Sequence, residues 1–191
     1  MLLKAIARKL QPVAVIGAVA LMSIGTAQAR ENWNGAPRIT ASAKAQQQAR
    51  AQSNGLTAMA LREAGSKRSR GQRVWCVPFA RTASGINLQG NAKTWWHKAA
   101  GIYARGNAPR VGSVMTFQET RKLPLGHVAV VSQVVSPRKI LIDHANWQRN
   151  KVSLGMAVVD VSPDNSWSAV RVESQPNTFG RVYPVKGFIY P

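Results

Sequence analysis

The chain has 191 residues, enough for one domain with a real core, and 26 lysines and arginines against 7 acidic residues give a formal charge of +19. That charge selects anionic partners without choosing a reaction. The single cysteine, Cys76, excludes an internal disulfide framework and any multi-cysteine zinc site.

Lys4, Arg8 and Lys9 form a basic start, Val13 to Ile24 an apolar run, and Ala27-Gln28-Ala29 a small-x-small site. The pattern predicts a signal peptide over residues 1–29 and a mature start at Arg30. The apolar run is shorter than the ~20 residues of a spanning helix, which favours cleavage over a retained anchor. Loss of the three basic residues lowers the charge only to +16. An exported protein this basic is expected to collect on anionic envelope polymers and, by surface association, on anionic membrane. No basic-aromatic recognition motif accompanies the charge, so no specific nucleic-acid partner is expected.

Residues 30–73 are rich in Ala and Gln, as in "ASAKAQQQARAQSNG", with almost no apolar periodicity. They read as a basic tether, flexible or partly helical; "LTAMALREAG" is the stretch that suits a short helix. A folded domain is expected over residues 74–191. "CVPFARTASG" predicts a short helix ending at Gly85, and "AKTWWHKAAGIYARG" a second between Asn91 and Gly106. Beyond Pro109, "SVMTFQ", "HVAVVSQVV", "KILIDHANW", "MAVVDVS", "SAVRVE" and "VKGFIYP" predict strands separated by turn residues. Helices first and strands afterwards indicate an α+β fold, short N-terminal helices on a mostly antiparallel sheet.

Cys76 falls where the first helix should begin, with Pro78 inside the first turn. Free backbone N–H groups and the helix dipole there favour a thiolate. Of three histidines, His97 reads as a polar surface residue, whereas His127 and His144 lie on neighbouring strands. If Ser136 to Lys139 makes an even turn, with Val135 opposite Ile140, then His127, His144 and Asn146 share one face and Asp143 takes the other. A one-residue bulge reverses that assignment. A thiol needs a base, imidazole suits that role, and the imidazole needs a polar group to hold it. Two satisfied structural histidines fit the spacing equally well.

The order of these pieces resembles the CHAP family, cysteine- and histidine-dependent amidohydrolases/peptidases of bacterial cell walls, which belong with the NlpC-like, papain-type cysteine hydrolases. The likeness spans residues 74 to 191 and rests on "WCVPFAR", "AKTWW", "PRVGSVMTF", "LGHVAVV" and "ILIDHANW". It implies a papain-like CHAP fold, with Cys76 as nucleophile and His127 as general base and acid. Many members carry Glu two positions before an Asn-Trp pair; here that position is His144, before Asn146-Trp147, as in the Cys-His-His arrangement of NlpC-like relatives. Asn146 stands as a residue that orients His127 or binds substrate, Asp143 as the reserve, and Trp147 as a groove residue. Trp95 and Trp96 can line that groove too, although a Trp pair on a helix favours core for at least one of them. The implied reaction is peptidoglycan amide hydrolysis through a Cys76 acyl-enzyme, as endopeptidase or N-acetylmuramoyl-alanine amidase. It needs no metal or cofactor and is carried out by a monomer in the periplasm or outside the cell. The rival reading is a catalytically silent protein of the same fold that binds the wall or another polyanion.

Overall fold

The computed structural model describes residues 40–191, so the expected signal peptide (1–29) and residues 30–39 of the expected tether lie outside the described residues. Helix α1 (Ala41–Ser69) opens on Thr40, whose hydroxyl accepts from the Ala43 N–H at 3.2 Å, and closes with Lys67 and Arg68 in its last turn. Both ends obey the ordinary rules of capping and helix dipole. Of the two alternatives for the tether the helical one applies to residues 41–69, which form one continuous helix, longer than the short stretch expected. Its buried positions, Ser53, Thr57, Ala60 and Ala64, recur at helical spacing. They are small and barely apolar, which is why a hydropathy pattern misses them and why α1 approaches its neighbour closely. Among the described residues no helix is long and apolar enough to cross a membrane.

Helix α2 (Cys76–Ser84) packs beneath α1 and ends at Gly85, whose φ of 75° forms the expected left-handed cap. Helix α3 (Ala92–Lys98) is shorter than expected. The chain leaves it through a turn at Gly101 (φ 74°), and Arg105–Gly106 form a short strand, β1. Six longer strands follow: β2 (Val114–Phe117), β3 (His127–Ser136), β4 (Lys139–Ala145), β5 (Val152–Asp160), β6 (Ala169–Gln175) and β7 (Thr178–Ile189). All pair antiparallel. The sheet order is β1-β7-β2-β3-β4-β5-β6, and β7 also pairs with β6, so β2 to β7 close into a six-stranded barrel. The first half of β7 pairs with β6 and the second half with β2. One bent strand thus closes the sheet, leaving the two-residue β1 as its edge. The α+β expectation holds, with three helices on an antiparallel sheet.

Strand alternation divides the core in two. Val114, Val128 and Val130 face the helices with Phe79, Ala80, Ile86 and Trp95. Met115, Phe117, Ala129, Val131, Ile140 and Ile142 fill the barrel with Trp167 and Phe188. Trp95 is fully buried in the helix-side core, while Trp96 is half-buried with Arg105 over its ring at 4.8 Å.

The β3–β4 hairpin starts in the expected register, Ser136 opposite Lys139, and then shifts twice. Val134, not Val135, lies opposite Ile140, and beyond the second shift Val131 faces Ile142 and Val130 faces Asp143. Each shift flips side-chain parity, so two of them cancel. His127 and His144 therefore share the barrel-side face, and Asp143 points to the helices, as an even turn without bulges also predicts.

The small-residue stripe of α1 supplies a test. Glu preserves helix propensity, so Ala60→Glu should lower stability by about 3 kcal/mol through a charge at a buried contact. Ala58→Glu, at an exposed position of the same helix, should change it by less than about 0.5 kcal/mol. Urea unfolding of the two variants separates packing from propensity.

Candidate active site

Cys76 is the first residue of α2, preceded by extended Trp75, which offers no side-chain cap. The helix start is thus left with free N–H groups. Those of Cys76 and Val77, together with the Val128 N–H from β3, favour a thiolate, but burial outweighs them and raises the thiol above its ordinary value. A base is therefore needed to draw the proton from this thiol, as expected of a cysteine–imidazole pair.

His127 opens β3 at one mouth of the barrel, 4 % exposed, with Phe117 edge-on at 5.6 Å. His144 on β4 is fully buried, and its Nδ1 lies 3.0 Å from Nε2 of His127. Burial, and then the neighbouring His144, hold the His127 imidazole well below its ordinary range; burial lowers His144 to about 4. Both rings are neutral near pH 7. Nε2 of His144 lies 3.2 Å from Sδ of Met156 on β5. Met156 was not legible as a site residue, because a lone methionine in a strand reads as ordinary core.

Trp147 closes this mouth, with ring centroids 5.0 Å from His127, 5.6 Å from His144 and 4.9 Å from Tyr183. It restrains both imidazoles by contact. Asn146 has a positive φ of 62°, and its side-chain oxygen accepts from the Asn150 N–H at 2.9 Å and Arg73 Nε at 3.4 Å. Asn150 in turn accepts from the Val74 N–H at 3.0 Å. The turn after β4 is therefore tied to the segment that delivers Cys76. The carboxamide oxygen of Asn146 is directed to Arg73 and Asn150 rather than His127. Asp143, the reserve candidate, lies on the other face: it accepts from the Gly155 N–H at 2.8 Å and from Thr57 of α1 at 3.4 Å. Burial pushes its carboxyl up. His97 is exposed, as expected.

Cys76 and His127 line one cleft of about 400 Å³. Its walls are Trp75 to Pro78, Gly90 to Ala92, Leu123 to Gly126, and Asn146. The Leu123 to Gly126 wall is held because the Lys93 N–H at the start of α3 donates to the Leu125 carbonyl at 2.8 Å. Gly126 has φ +66°, and a Cβ there would meet the Lys93 backbone nitrogen at 2.9 Å. Only glycine fits directly before His127. Among the described residues no acidic side chain lines the cleft, and Arg73 stacks over the half-exposed Trp75 ring at 4.4 Å. A partly buried thiol, a neutral imidazole and free helix-start N–H groups in one cleft form the equipment of nucleophilic acyl transfer.

The fold thus brings a cysteine and a histidine to one cleft on a helix-and-barrel scaffold. A CHAP domain is detected over residues 67–146, from the last turn of α1 to just past β4. The matched segment includes Cys76, His127, His144 and Asn146; β5 to β7, and with them Met156, lie beyond it. No curated protein sequence matches the chain.

The buried neutral histidines make stability depend on pH. In the unfolded chain His144 binds its proton near pH 6.5, in the folded chain only near 4. Its stabilising contribution is therefore complete above pH 6.5, is lost as pH falls through that window, and levels off below about 4. The loss from His144 alone should reach about 3 kcal/mol. Urea unfolding at pH 7 and pH 4.5 should show this drop, and His144→Gln should shrink it.

Proposed function

We propose that this protein is an exported cysteine hydrolase that cleaves amide bonds of peptidoglycan. CHAP domains generally act on peptidoglycan. The observation that carries the reading is the sharing of one cleft by Cys76 and His127, with His127 Nε2 held 3.0 Å from His144. In this mechanism His127 takes the Cys76 proton as sulfur attacks the amide carbonyl. The N–H groups at the start of α2 face the negative charge that develops on oxygen. His127 then passes the proton to the departing amine, leaving a thioester on Cys76. Water, deprotonated by the same imidazole, attacks the thioester; the acid leaves and the thiol is restored. His144 orients His127 throughout.

The bond cut is either the amide joining glycan to the first alanine or a peptide bond of the stem or cross-link. Arg73 at the cleft rim, and the lack of any acid in its lining, suit the free carboxylates of stem peptides. Export rests on the N-terminal pattern. The basic residues Lys44, Arg50 and Arg62 on α1 suit retention on an anionic wall.

Purified peptidoglycan digested with residues 30–191 should release new amino termini or stem peptides, identified by mass spectrometry, and Cys76→Ala should release none. Intact walls after treatment with folded, reduced protein would point instead to a silent wall-binding protein. With a cleaved stem peptide in hand, Arg73→Gln should raise KM about 5-fold and leave kcat near its original value, the signature of lost ground-state binding at an exposed ion pair.

A further inference from the structure

The two buried imidazoles form a chain of contacts that ends on a sulfur atom. His127 Nε2 meets His144 Nδ1 at 3.0 Å, and His144 Nε2 meets Met156 Sδ at 3.2 Å. His144 is 0 % exposed, so solvent does not compete for either nitrogen. A thioether has lone pairs and no proton, so it only accepts. A neutral imidazole carries one N–H. Were that proton on Nδ1 of His144, a nitrogen lone pair would face the sulfur lone pairs at 3.2 Å, in a site too dry to relieve the repulsion. The proton of His144 therefore sits on Nε2, and its Nδ1 is an acceptor. The hydrogen between the two rings must then come from Nε2 of His127. That leaves the lone pair of neutral His127 on Nδ1, in the cleft it lines with Cys76.

The backbone builds this contact deliberately. Between β4 and β5 the register shifts, so that Met156 pairs with Ile142 while His144 pairs with Ser153. Sharing a cross-strand position with Ile142 puts Met156 on the same face as Ile142 and His144. Gly155, at φ 62°, makes the shift, and Asp143 accepts its N–H. Trp147, stacked on His144 at an interplanar angle of 30°, keeps the ring in the plane this contact needs.

We propose that Met156 is a positioning residue that fixes the His144 tautomer and, through it, makes Nδ1 of His127 the nitrogen that accepts the Cys76 proton. The role of that proton transfer rests on the hydrolase reading above; the tautomer chain itself stands on geometry.

The test is long-range proton–nitrogen NMR of histidine-labelled protein at pH 7, with exposed His97 as internal reference, joined to the rate of Cys76 alkylation by iodoacetamide. Wild-type protein should show both His127 and His144 protonated on Nε2. Met156→Leu should mix the tautomers and slow alkylation by at least about 10-fold, and Met156→Gln, which returns an acceptor of similar length, should restore both. A wild-type His144 carrying its proton on Nδ1 overturns the proposal even if Met156→Leu does not fold. Unchanged tautomers and alkylation in a folded Met156→Leu protein overturn it as well. None of these measurements uses peptidoglycan, so their failure is distinct from failure to digest the wall.

Discussion

The site depends on one contact, the 3.0 Å approach of two imidazoles across strands β3 and β4. A buried imidazole must give its N–H to an acceptor or lose the desolvation energy of that group. Here the contact gives one imidazole an acceptor on the other, Met156 Sδ lies 3.2 Å from the outer nitrogen of His144, and the same burial keeps both rings neutral. The solution works only if the two residues share a face of the sheet. Parity along β3 and β4 is thus the constraint to which the hairpin answers, and its two register shifts satisfy it by cancelling.

The opposite face of β4 holds the scaffold. Asp143, one residue before His144, points to the helices and joins α1, through Thr57, to the bulge at Gly155. Adjacent residues of one strand thus serve opposite layers. The helix that the carboxylate anchors packs on α2, and α2 presents Cys76. The Asn146 and Asn150 bonds close the remaining gap, between the end of β4 and the approach to α2. Thiol and imidazole arrive from separate layers, yet each is fixed to the same strand.

What the sequence made legible follows from which physical signals are local. Gly85 and Pro78 mark the bounds of α2 because cap and first-turn chemistry act within a few residues. The β3 and β4 runs, with their Val and Ile alternation, were equally plain, and so was the placing of Cys76, His127 and His144. The long α1 was hidden because its contact face is Ser, Thr and Ala, residues that bury little area and leave no hydropathy period. The first half of β7 was hidden because Gly180 and Pro184 interrupt its pattern, although pairing with β6 still closes the barrel. Met156 was hidden for a deeper reason. Its meaning lies in a register shift made by Gly155 and a ring nitrogen on another strand, and neither is written in its own neighbourhood.

The lone thiol fits the same logic. A cysteine at a bare helix start would ordinarily lean towards thiolate, the form that oxidants and stray electrophiles attack. Burial reverses that tendency here and holds Cys76 as a thiol. With both imidazoles also neutral, the resting cleft carries no separated charges. In the proposed mechanism, charge is created only when an amide carbonyl lies beside the sulfur and the N–H groups of α2 can meet the oxyanion. For a protein with no second cysteine to shelter the first, proposed to work in an oxidising compartment, this is a consistent arrangement. On the proposed mechanism, reactivity is tied to the presence of substrate.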